Sequence, residues 1–91
     1  MITLPFKQVS PLYEMAKSGE MPFTVRKIDY LDSRFAILKQ RMERAYIGDD
    51  LAIQITNPAT SESFTRKLRL IEHVRLSPGW MILYLGDIVK S

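Results

Sequence analysis

The chain contains no cysteine and a single histidine. The first absence excludes disulfides and thiolate metal sites, and the lone His73 cannot build a multi-histidine zinc centre. No apolar run approaches the roughly 18–20 residues of a membrane span. The opening MITLPFKQ lacks the charged-then-apolar build of a signal peptide. Internal repeats, low-complexity tracts and linkers are missing too, so nothing divides the chain. These features point to one cytoplasmic domain over residues 1–91, with no membrane, metal or cofactor to accommodate.

What is present fits a small soluble fold. Hydrophobic residues make up 46% and charged residues 25% of the 91 positions, a balance that argues against wholesale disorder. Net charge is +3, a mild basic bias that permits a polyanionic partner without demanding one.

Residues 2–9 form a mixed segment suited to a first strand, with Pro5 marking an edge or a break. Ser10-Pro11 then provides a helix start, since serine can cap an orphan N–H and proline is tolerated at the first helical position. Leu12, Met15 and Ala16 make one apolar stripe, and Gly19 after Lys17-Ser18 gives a left-handed stop with a cation at the negative helix end. Residues 22–28, PFTVRKI, read as a strand with Phe23 and Val25 on one face and Thr24 and Arg26 on the other.

A second helix is predicted over residues 33–46, started by Asp32 or Ser33. Phe35, Leu38, Met42 and Ala45 or Tyr46 recur at helical spacing, while Arg34, Lys39, Arg41 and Arg44 form a basic, solvated face. Gly48-Asp49-Asp50 breaks that helix before a strand at 51–56. Residues 57–61 (NPATS) turn it into a hairpin with a long strand from 63 to about 76. Alternation places Phe64, Leu68, Leu70, Val74 and Leu76 on a mainly core face, broken by Arg66 and Glu72. The other face is mainly basic, with Lys67, Arg69 and Arg75 beside Thr65, Ile71 and His73. After Ser77-Pro78-Gly79, WMILYL at 80–85 is apolar throughout and reads as a strand buried on both faces or closing a barrel, with Trp80 in the core and a short tail from 86. The order gives an α+β fold, a small β-barrel of about five strands with two outer helices.

Several of these residues carry a family resemblance. Residues 6–27, FKQVSPLYEMAKSGEMPFTVRK, resemble the opening of ASCH-like domains of the PUA superfamily, where a short helix ends in Ser-Gly and a strand carries Phe-x-x-Arg-Lys. Ser18-Gly19, Phe23, Arg26 and Lys27 stand in those places. Gly48-Asp49-Asp50-Leu51 is similar to the family's Gly-Asp turn into a barrel strand, and residues 79–85 are similar to its closing strand; the helix at 33–46 is extra. The resemblance implies a PUA-like pseudo-barrel with a cleft beside the first helix, and RNA as the ligand. Some small ASCH proteins are amidohydrolases of acetylated cytidine, using a lysine two residues after the glycine, a threonine three further on and a downstream glutamate. Here the threonine is Thr24, the lysine position holds Met21, and Glu72 is the candidate acid. Methionine cannot move a proton, so the resemblance implies binding without catalysis.

The expected function is therefore a small non-enzymatic nucleic-acid-binding module, with RNA favoured over DNA. Lys17, Thr24, Arg26 and Lys27 are expected around the cleft, with Lys67, Arg69 and Arg75 along the long strand and Tyr13, Tyr30, Tyr46 and Trp80 as candidates for stacking. A protein partner or a second copy docking on the 33–46 helix is the alternative, and it requires Phe35, Leu38 and Met42 to be exposed.

Overall fold

The computed structural model describes residues 1–44, 46–74 and 79–89. Its elements are β1 (Ile2–Lys7), α1 (Leu12–Ser18), β2 (Phe23–Lys27), α2 (Ser33–Met42), β3 (Leu51–Thr56), β4 (Ser63–His73) and β5 (Trp80–Ile88). The five strands make one sheet in the order β1-β3-β4-β5-β2, with β1 parallel to β3 and every other pairing antiparallel. The sheet curls into a half-barrel, and its edges, β1 and β2, approach each other across an open seam. The chain is an α+β fold.

Inward-facing side chains from β1, β3, β4, β5 and both helices meet in one core. Leu4 and Phe6 come from β1, Ile53 and Ile55 from β3, and Met81, Leu83 and Leu85 from β5. Tyr13 and Ala16 of α1 join them, as do Phe35 and Leu38 of α2. Fully burying a leucine such as Leu38 is worth about 1.5–3 kcal/mol. This packing, rather than helix propensity, holds a seven-residue α1 in place.

Helix α1 stops where expected, at Gly19 in the left-handed region (φ +86°). Its start differs. Ser10 makes no cap: its hydroxyl donates to Glu14 (2.6 Å) and accepts from Asn57 Nδ2 (3.1 Å), tying the helix to the β3–β4 turn. Asp32 does cap α2, accepting from the Arg34 N–H at 2.9 Å. That helix ends at Met42 and does not continue to Tyr46. The cause is Arg41, a buried residue in the last turn. Its guanidinium donates to the Ile47 carbonyl (2.9 Å) and to both carboxylate oxygens of Asp50 (2.6 and 2.9 Å), so the chain has to fold back beneath it. Gly48 permits this turn: its φ is +97°, and a Cβ there would lie 2.8 Å from Asp50 Oδ1 and 3.0 Å from Arg41 Nη1.

Strand β4 departs from simple alternation. Leu68 and Ile71 are both buried, with Arg69 and Leu70 both outside and Leu70 53% exposed. Register shifts on either side of Leu68 mark a bulge, where one extra residue on β4 flips the inward phase from even to odd positions. Strand β5 alternates instead of being buried on both faces, and it runs on to Ile88 where a tail is expected. Met81, Leu83 and Leu85 point inward, which leaves Trp80 on the outer face, 41% exposed rather than in the core. Among the described residues no helix is long and apolar enough to cross a membrane.

The Arg41–Asp50 pair makes the fold acid-sensitive. Hydrogen bonds from Arg41 lower the Asp50 pKa from 3.8 to about 2. A depressed folded-state value means that the contribution is complete above about pH 4 and is lost as pH falls through the native value. We expect the urea midpoint of the wild type to drop between about pH 5 and pH 2, and Asp50→Asn to lose part of that dependence while being less stable at pH 5. An identical acid dependence in the variant would show that other carboxylates dominate.

Candidate functional site

The seam between β1 and β2 is the place where chemistry collects. Backbone hydrogen bonds from the Ile2 and Gln8 N–H groups run to the β3 side, so even residues of β1 face β3 and Thr3, Pro5 and Lys7 point their main-chain groups into the seam. Pro5 therefore sits where its missing N–H leaves no ladder bond unmade. Two of the three carbonyls there are taken by arginines from elsewhere. Arg26 of β2 donates to the Lys7 carbonyl at 2.7 Å, and Arg34 of α2 donates to the Pro5 carbonyl. Two guanidinium groups thus close, from the side, a barrel that the backbone leaves open.

Both lie over the Phe6 ring, with Arg26 Cζ 5.0 Å and Arg34 Cζ 4.5 Å from its centroid. Cation–π contacts of this kind contribute about 0.5–2 kcal/mol each. Their electrostatic surroundings differ. Arg34 is neutralised by Asp32, which accepts from its Nε and Nη2. That pairing lowers the Asp32 pKa and raises that of Arg34. Among the described residues Arg26 donates to neutral acceptors: the Lys7 carbonyl, Thr24 Oγ1 at 3.1 Å and Gln8 Oε1 at 3.3 Å. Burial and the neighbouring Arg34 cation push the Arg26 pKa below its ordinary value. A guanidinium is not deprotonated in proteins, so the charge stays.

These groups line an open cleft of about 660 Å³. Lys7 and Lys27 stand exposed at its rim, and Asp29 and Asp32 lie on the α2 side, giving four cations against two carboxylates.

Of the sequence-predicted residues, Arg26 and Lys27 line this cleft. Thr24 contributes only through its hydroxyl, which anchors Arg26; at 1% exposure it cannot reach a ligand. Lys17 lies elsewhere, at the end of α1, where its ammonium is 3.5 Å from Glu62 and its carbonyl accepts from Arg66. Lys67 and Arg69 border a second hollow with Asp49 and Asp87, beside the start of β3, whereas the first cleft touches Thr56 at its end. Lys67 is paired with Ala52, four residues from Thr56, so the two basic groups are separated by about 13 Å along β3. Arg75 falls outside the described residues. Sequence reasoning passes over Lys7 and Arg34. The available signals were Pro5, which marks β1 as an edge, and the position of Arg34 two residues after a capping aspartate.

The hydrolase arrangement is not assembled. Thr24 is enclosed, and Met21, at the lysine position, packs on the core. Glu72 accepts from Tyr84 OH at 3.0 Å, and Tyr84 packs against Phe23, whose side chain points opposite to that of Thr24. Glu72 and Thr24 therefore occupy different faces of the sheet. On α2, the three residues expected to form an exposed docking patch are distributed differently: two are in the core and one is partly buried. Phe35 and Leu38 are in the core, Met42 packs against it, and two of the arginines expected on a solvated face, Arg34 and Arg41, are bound internally. Tyr13 is buried against Phe64, while Tyr30 and Tyr46 are exposed. No protein-family model, curated protein or solved structure matches the chain.

Arg26 can be tested as the closure of the seam. Arg26→Lys keeps the charge but cannot satisfy three separated acceptors. We expect a loss of about 1–3 kcal/mol in urea unfolding, with faster amide hydrogen exchange along β1. Unchanged exchange in β1 would show that the seam is closed without Arg26.

Proposed function

We propose that this chain is an ASCH-like, PUA-type domain that binds RNA without catalysis, using the cleft between β1 and β2. One observation carries the reading. Arg26 is a positive charge held in place by neutral oxygens, beside a second guanidinium and between two exposed lysines. A cation fixed by neutral oxygens, in a cleft where four cations outnumber two carboxylates, is arranged for an anion from outside, and a phosphate group has the required geometry and charge. The resemblance of residues 6–27 to ASCH-like domains gives the choice of RNA independent support, because the Arg-Lys pair of that motif is the pair that reaches this cleft.

The roles divide by exposure. Arg26 and Arg34 are positioned groups that present remaining N–H donors, while Lys7 and Lys27 act as mobile phosphate contacts at the rim. Because Asp29 and Asp32 offset part of the charge, affinity is modest and arises largely from counterion release.

Fluorescent single-stranded RNA at low salt tests this. We expect binding that falls steeply with salt. The double variant Lys7→Ala/Lys27→Ala, which leaves the Arg26 contacts intact, should reduce the logarithmic salt slope by about 1.4, or roughly 0.7 per lost phosphate contact. Absence of binding at low salt, or binding indifferent to salt, would overturn the proposal.

A further inference from the structure

The outer face of β2, β5 and β4 carries an apolar surface that the cleft does not use. Side chains on this face alternate with the buried ones, and register fixes their neighbours. Phe23 pairs with Tyr84, Val25 with Ile82 and Lys27 with Trp80; on the other side of β5, Leu70 pairs with Tyr84 and Glu72 with Ile82. Val25 is 45% exposed, and Trp80 and Leu70 are similarly open. The Phe23 and Tyr84 rings, both half-buried, are 6.2 Å apart and tilted by 56°, so they are not stacked on each other. The bulge at Arg69 and Leu70 matters here, because it keeps Leu70 and Glu72 on this face instead of turning them into the core.

Charge is distributed asymmetrically across the patch. The β2 rim is basic: Lys27 sits beside Trp80 and also lines the seam cleft, with Arg26 and Lys7 beyond it. The β4 side is acidic, with Glu72 holding the Tyr84 hydroxyl. Exposed apolar patches of this kind mark binding surfaces. A single-stranded nucleic acid matches directly, since it has phosphates along one edge and unsaturated rings along the other.

Building on the RNA reading above, we infer that this face is a stacking platform for unpaired RNA bases. The phosphate backbone follows the β2 rim out of the seam cleft, and bases lie over Trp80 and over the Phe23–Tyr84 pair. Successive outward positions on a strand are about 7 Å apart, so the rows at Trp80, Ile82 and Tyr84 span about 14 Å, room for two or three bases. Glu72 lies on the side away from the phosphates, where its charge repels them least. Lys67 and Arg69, across the sheet and next to Asp49 and Asp87, take no part.

Trp80 is the only tryptophan in the chain, so its emission reports on this face alone. Titration with single-stranded RNA of about six nucleotides at low salt should quench or shift that emission, saturating in step with binding seen by fluorescence anisotropy. Trp80→Ala should weaken binding about tenfold, within the 1–3 kcal/mol typical of one stacked base, while Trp80→Phe recovers most of it. Lys67→Ala/Arg69→Ala should leave affinity within about twofold. Thermal unfolding of each variant separates loss of binding from loss of fold. If RNA binds with the expected salt dependence and is weakened by Lys7→Ala/Lys27→Ala, yet Trp80 emission and Trp80→Ala affinity are unchanged, the platform is wrong and the cleft reading stands. If no RNA binds at all, both fail. If Trp80 emission changes with protein concentration alone and sedimentation gives a dimer mass, the face belongs to a second copy, and the inference is overturned.

Discussion

Everything in this fold depends on how five strands end without a sixth. β1 and β2 are both edges, and their unpaired main-chain groups face a common seam. Arg26 crosses it, joining the β1 carbonyl at Lys7 to Thr24 of its own strand, and Arg34 reaches the neighbouring carbonyl from α2. A guanidinium is suited to this task because it offers donors in several directions from one rigid plane. The same property leaves donors over. Closing the seam with charged groups, where another barrel would use a ladder of amides, gives the structure its candidate anion site and its edge protection from the same two side chains.

A similar economy governs α2. Its apolar stripe, Phe35 and Leu38, is spent on the core, and its basic residues are divided between ends. Arg34 works at the first turn on β1; Arg41 works at the last on Asp50 and the Ile47 carbonyl. The helix is thereby stitched to the starts or edges of two strands that are parallel neighbours. Two of the four residues that read as a solvated basic face, Arg34 and Arg41, are in fact the fastening of the helix to the sheet, while Lys39 and Arg44 stay exposed.

These examples show which parts of the molecule are legible from residues in order. Local signals are reliable: Gly19 ends α1, Asp32 starts α2, Pro5 marks an edge, and Asn57 to Ser61 makes a turn. Signals that depend on a partner distant in the chain are not. Nothing near Arg41 announces that its acceptor is Asp50, and nothing near Lys17 announces Glu62. The bulge on β4 is invisible to alternation because one added residue reverses the phase without altering composition, which is why Leu70 and Ile71 exchange their expected environments. Trp80 misleads for a related reason. An unbroken apolar run looks doubly buried, but β5 is covered by helices on one face only. For the candidate site, the motif leading to Arg26 and Lys27 is readable, whereas Lys7 and Arg34 join it through topology.

Pro5 has one further consequence, concerning self-association. An exposed edge strand recruits other chains by presenting donors and acceptors at every second residue. On β1 those positions are Thr3, Pro5 and Lys7. The middle one has no hydrogen to donate, and its oxygen, like that of Lys7, is occupied by an arginine. The two N–H groups that remain are about 13 Å apart, too far for a continuous ladder to start between them. A fibril or a swapped strand would have to nucleate without hydrogen bonds at the centre of the edge. Since guanidinium groups keep their charge throughout the physiological pH range, this guard against aggregation does not switch off when the surroundings acidify.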